Sequence, residues 1–234
     1  LFFVSCESAG DKRLDFALEQ AGKNRIELEK VLNYYQNDSL KLEAARFLIR
    51  NMPGHGGYED DRLDSVKAVM KAAVELNIGG YLPDSEWKRK WIGFNYRTLP
   101  KRPDIEYMSA DYLIENIEQA FLSWENAPWY SQISFEQFCR LILPYRTMNE
   151  QLTLGWRQTL QQKYSGIIEG ITDIKQAFSL LSDSIIKSVR QAPPLCPYSP
   201  DVLTIDKLQQ ANCSQRCILQ TAILRSLAIP ATLD

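Results

Sequence analysis

The residues best suited to chemistry lie near the end of the chain, in Ala211-Asn212-Cys213-Ser214-Gln215-Arg216-Cys217. Asn212 is a good helix N-cap, and Gln215 stands where a capping box places its reciprocal partner. Cys213 then takes the first helical position. There the unpaired backbone N–H groups and the positive end of the helix dipole favour a thiolate, so the spacing points to a nucleophilic cysteine. The same N–H groups, that of Ser214 among them, supply part of an oxyanion hole. Gln209 and Gln210 precede the thiol at a spacing from which a side-chain amide could join it. Arg216, one turn on, adds positive potential. The bland alternative is a small cysteine packed at a buried helix start.

A cysteine nucleophile needs a base, usually histidine. The chain has one, His55, in the loop Gly54-His55-Gly56-Gly57. Chain order does not fix the geometry of a catalytic triad, so His55 is a candidate, but a solvated loop histidine is the simpler reading. The glycines lack the Lys-Ser/Thr and preceding strand of a phosphate loop. Cys217, one turn after Cys213, reads either as a resolving thiol or metal ligand or as packing. Cys139, among Phe138, Leu141 and Ile142, reads as core. Cysteine spacing matches no metal or disulfide framework, so no metal and no cofactor is expected. Trp87, Trp91, Phe94 and Tyr96 with Lys88, Arg89 and Lys90 form a possible glycan- or peptide-binding platform, or a loop packed on helices. Glu59, Asp60 and Asp61 could hold a cation or open a helix.

These residues must be positioned by helices. The 234 residues are 45% apolar and 24% charged, ordinary globular values that exclude disorder, and a formal net charge of −2 argues against a nucleic-acid partner. Apolar residues recur mostly with helical period, which predicts about six to eight helices. Leu40, Ala44, Phe47 and Leu48 line one face; Leu63, Val66, Met70, Ala73 and Val74 line a second; Leu113, Ile117, Ala120, Phe121 and Trp124 line a third, between Ser109 and Asn126. Ser134 with Gln137 reads as a capping box, and Pro144 follows that helix. Two longer helical patterns cover residues 150–171 and 173–191. Pro193, Pro194, Pro197 and Pro200, flanking Cys196, then mark a boundary. A short helix is expected over 203–210, a final one over 213–227. The fold class expected is mainly α, organised as 1–10, a tether; 11–192, a helical domain; and 193–234, a linker and the opening of a second domain.

The first residues, Leu1-Phe2-Phe3-Val4-Ser5-Cys6, are apolar up to the cysteine. They resemble the end of a bacterial lipoprotein signal peptide, which implies lipidation at Cys6 and an exported, periplasmic or cell-surface lipoprotein. Membrane attachment would run only through that lipid. No stretch of about 18 apolar residues occurs.

Ala211-Asn212-Cys213, with Arg225-Ser226-Leu227-Ala228-Ile229-Pro230 closing the helix, resembles the transglutaminase-like family, where a Gly-x-Cys motif opens a helix ending in Arg-x-Leu-Gly-Ile-Pro. Residues 47–53 (FLIRNMP), 112–124 (YLIENIEQAFLSW), 135–146 (FEQFCRLILPYR) and Trp156-Arg157 are similar to the long helical region of secreted bacterial members. The resemblance implies an α+β catalytic domain that opens with the cysteine helix. It also implies a Cys-His-Asp mechanism acting on protein, peptide or peptidoglycan-like amides. In that family His and Asp follow the cysteine on strands, and neither is carried over to this sequence. The reading is therefore the N-terminal portion of a cysteine-dependent peptidase, amidase or transglutaminase, inactive by itself. Its final helix would have a face meant for an absent sheet, either exposed or packed in a makeshift way. Ala211 and Ala228 stand where the family has glycine. The alternative is a non-enzymatic glycan- or protein-binding scaffold.

Overall fold

The computed structural model describes residues 9–58, 63, 68, 71–72, 75, 95, 98–191 and 198–233. Cys6, the acidic Glu59 to Asp61 run, the Trp87 to Tyr96 cluster, four of the five residues expected on the second helical face (Val66, Met70, Ala73, Val74), and Pro193 to Pro197 with Cys196 lie outside them. The chain is mainly helical, as the periodicity predicts. Three mutually packed helices open it: α1 (Ala9–Gln20), α2 (Arg25–Tyr34) and α3 (Ser39–Arg50). Asp38 caps α3 by accepting from the Lys41 N–H at 3.1 Å. Strand β1 (Gly56–Tyr58) pairs antiparallel with β2 (Lys101–Pro103). A Cβ on Gly56 would meet the Arg102 carbonyl oxygen at 2.6 Å, so that close pairing requires glycine.

Helix α4 (Ala110–Glu125) buries the face read from the sequence, Leu113, Ile117, Ala120, Phe121 and Trp124, and Ser109 caps it. Helix α5 (Phe135–Leu141) opens on a complete capping box between Ser134 and Gln137. The Trp124 and Phe138 rings stack at 4.3 Å and hold these two helices together. Helix α6 spans only Trp156–Tyr164, which corrects the expectation of one helix over 150–171. The Glu150 carboxylate accepts the Thr147 and Met148 N–H groups and Gly155 takes a left-handed φ of 72°, so the α-helix starts only after Gly155; beyond Tyr164 it tightens into a 3-10 turn over Ser165–Ile168, and Gly170, with a φ of 75°, ends the segment. Helix α7 (Ile174–Ser188) follows, capped by Asp173. Strand β3 (Arg190–Gln191) pairs in parallel with β4 (Gln210–Ala211), and helix α8 (Val202–Leu208) lies between them in sequence.

The last helix, α9 (Cys213–Ser226), is 14 residues long, about 21 Å. It packs on α4, α6, α7 and α8 at once. Residues 218–229 are buried except Gln220, whose amide donates to Ser182 Oγ at 2.9 Å. A helix buried all round is a central core helix, so the face expected to lack a sheet is packed here and not exposed. Its buried residues belong to the same core as Leu28, Leu113 and Leu160, so described residues on both sides of the expected 192/193 boundary share one interior.

At its C-terminal end α9 meets the irregular segment between α5 and α6, whose buried carbonyls need donors. Three buried arginines supply them. Arg157 donates to the carbonyls of Ile142 at 2.7 Å and Leu143 at 2.9 Å, and to Asn116 Oδ1 at 2.7 Å. Arg225 donates to the carbonyls of Arg146 at 2.9 Å and Ala231 at 3.1 Å. Arg146 pairs with Asp104 at 2.6 Å and donates to the Glu150 carbonyl. Burial, and then the neighbouring Arg225 charge, push the Arg157 guanidinium down to about 9, while burial pushes Arg225 down to about 10.

Candidate functional site

The N-terminus of α9 is built by short-range bonds. Asn212 Oδ1 accepts the Gln215 N–H at 2.8 Å, and Gln215 Oε1 accepts the Asn212 N–H at 3.3 Å, completing the capping box. Cys213 is the first helical residue and is exposed. The N–H groups of Cys213 and Ser214 have no acceptor among the described residues, as the first turn of a helix dictates. They leave the positive end of the dipole open beside the thiol.

Neighbouring strands and loops brace this turn. Gln215 Nε2 donates to the Tyr198 carbonyl at 3.0 Å, and Arg216 Nη1 donates to Gln191 Oε1 of β3 at 2.9 Å. Arg216 therefore lies against β3 while still adding its charge to the first turns of α9. Gln210 is buried in β4, and its amide oxygen accepts from Arg190 Nη2. Gln209 is exposed with a left-handed φ of 51°, and its carbonyl accepts the Arg190 N–H at 2.8 Å. The two glutamines thus serve the β3–β4 junction just before the cysteine.

Beside the cap lies a cavity of about 180 Å³, lined by Tyr58, Asn149, Tyr198, Ser199, Asn212 and Ser214 among others. Gln151 ties its walls together, its N–H to the Ser199 carbonyl at 3.2 Å and its amide to the Tyr58 carbonyl at 2.7 Å. The volume is below the roughly 300–1,000 Å³ of small-molecule sites, and it suits a single side chain in a polar setting. Tyr58, Asn149 and Tyr198 join Ser214 here from distant parts of the chain. No local spacing marks them.

The other candidates sit elsewhere. His55 is exposed and lines a different cavity together with Arg225, twelve residues and about 18 Å along α9 from Cys213. It is not the partner of the thiol. Cys217 is half-buried, and among the described residues no group of three or more His, Cys, Asp or Glu side chains is placed to hold a metal. Cys139 lies in the core, where burial pushes its thiol up to about 12. Among the described residues no helix is long and apolar enough to cross a membrane.

Comparison with protein families, with curated proteins and with solved structures finds no match to any of the three.

Proposed function

We propose that Cys213 is the nucleophile of a cysteine-dependent acyl transfer, in an exported transglutaminase-like protein tethered through a lipid on Cys6. The observation that carries the reading is the exposed thiol at the first position of a fully capped 14-residue helix, with the adjacent N–H groups unpaired. In the reaction the thiolate attacks an amide carbonyl carbon of a protein, peptide or peptidoglycan-like substrate. The Cys213 and Ser214 N–H groups stabilise the oxyanion, and the amine leaves with a proton to give a thioester. Water or a second amine then takes the acyl group, which distinguishes hydrolysis from transamidation. The cavity beside Ser214 holds the side chain next to the attacked carbonyl.

The proton must be moved by a base other than His55, since the chain's one histidine lies at the other end of α9. The 234 residues alone are therefore expected to form at most a thioester with an activated acyl donor and not to turn over. Iodoacetamide labelling of the chain tests the reading. Cys213 is expected to react at least tenfold faster than Cys217 at pH 7. Equal rates at the two cysteines would overturn it and favour the scaffold reading.

A further inference from the structure

The larger cavity that His55 shares with Arg225 has a composition the acyl-transfer reading does not use. It is about 350 Å³ in volume, within the range of small-molecule sites. Phe47, Leu48, Met52 and Leu233 give it apolar walls, while Arg140, Arg146, Arg225 and His55 line it from the polar side and, among the described residues, no acidic one does.

The buried charges beside it do not balance. Around the segment between α5 and α6, the three buried guanidiniums of Arg146, Arg157 and Arg225 face two buried carboxylates, Asp104 and Glu150. Asp104 is taken up by Arg146, Tyr107 and Tyr145, and Glu150 accepts two backbone N–H groups. Arg225 is 4% exposed and bonded only to carbonyls, through Nε and Nη1, and its Nη2 has no acceptor among the described residues. The Glu150 carboxylate acts on Arg225 only at a distance, being bonded to backbone N–H groups and not to the guanidinium. A buried cation without a bonded counter-charge is costly, and an anion supplied from outside lowers that cost. Arg140, whose side chain is 66% exposed and forms a loose surface pair with Glu136 at 3.5 Å, offers a second guanidinium on the solvent side of the same cavity.

We propose that this cavity binds a small organic anion, a carboxylate or phosphate ester with an apolar body. The anionic group is held by Arg225 and Arg140, and the body rests on Phe47, Leu48 and Met52. The site is independent of Cys213, which lies at the opposite end of α9. Arg225 contributes one open guanidinium nitrogen, so it holds one oxygen of the ligand while Arg140 takes another.

The test is titration of the whole chain with benzoate and phenyl phosphate, followed by amide chemical shifts, with neutral benzamide as the control. Saturable binding of at least one anion is expected, with shifts confined to residues around Phe47, Thr147 and Arg225 and with benzamide at least tenfold weaker. Because Arg225 braces the fold, the variants are Arg140→Gln and Phe47→Ala. The first should weaken the anion about three- to tenfold and leave benzamide unchanged; the second should weaken both. The proposal fails if neither anion saturates by about 10 mM. Benzamide binding as tightly as benzoate would also sink it, as would an unchanged anion affinity in Arg140→Gln.

Discussion

The two ends of α9 satisfy the same backbone problem by opposite means. At the N-terminus Asn212 and Gln215 close a capping box within three residues, leaving two N–H groups and the thiol open. At the C-terminus Ala228 adopts a left-handed φ of 55°, the Ile229 N–H reaches the Leu224 carbonyl at 2.8 Å, and the Ala228 N–H reaches Arg225 at 3.2 Å. This is a Schellman ending, and long-range bonds are added to it there. Trp129 Nε1 donates to the Ala228 carbonyl at 2.7 Å from across the molecule, and Arg157 and Arg225 knit the helix end to the chain beyond α5. One end is locally capped and chemically available; the other is anchored and bears the structural load. The same helix can therefore present a reactive group rigidly, because its buried anchor lies about 18 Å from the thiol and only Gln215 and Arg216 brace the open end.

The sharpest way to break this contrast is at the anchored end. Arg157→Ala should cost about 3–5 kcal/mol or prevent folding, because it strips donors from the carbonyls of Ile142 and Leu143 and from Asn116. Urea denaturation measures it, and a loss below about 1 kcal/mol would show that water replaces the guanidinium.

Next in size is a pH effect at a buried thiol. Cys139 has its thiol raised to about 12 from 9.0, so its contribution is fully present below pH 9 and is lost as pH rises toward 12. The stability gap between the protein and Cys139→Ala should narrow above pH 9, by at most about 1.4 kcal/mol per pH unit. Denaturation midpoints at pH 8 and pH 10 decide this.

Asn212→Ala should cost about 1 kcal/mol and also slow alkylation of Cys213, since the cap orients the first turn. A stability loss without a change in alkylation rate would separate the cap from the reactivity. The smallest effect is expected at Ala228→Gly. Relief of the left-handed backbone is offset by a lost buried methyl and by a more flexible unfolded chain, so the change should lie within about 0.5 kcal/mol by thermal melting.

The clearest agreements between structure and sequence rest on bonds that span three or four residues, although the helix expected over 150–171 was too long. The Ser134 and Asn212 capping boxes, the buried face of α4 and the core placement of Cys139 were all legible, and so was the position of Cys213 at the first turn of a helix. Contacts between distant residues were not. Arg157 reaches carbonyls 13 to 15 residues back and another 68 ahead, and Arg225 reaches 81 back. Neither leaves a periodic trace, and both entered the sequence analysis only as residues of the family resemblance.

Sequence alone determined the helical class, the caps and a thiol set against a helix dipole, because capping and amphipathic period are local properties of the chain. Tertiary structure decided that α9 is central and not half-exposed, that 150–171 breaks around Gly155, and that His55 faces Arg225 and not Cys213. The physical reason is that buried carbonyls and cations must find partners wherever the fold brings them, and only packing says which ones meet.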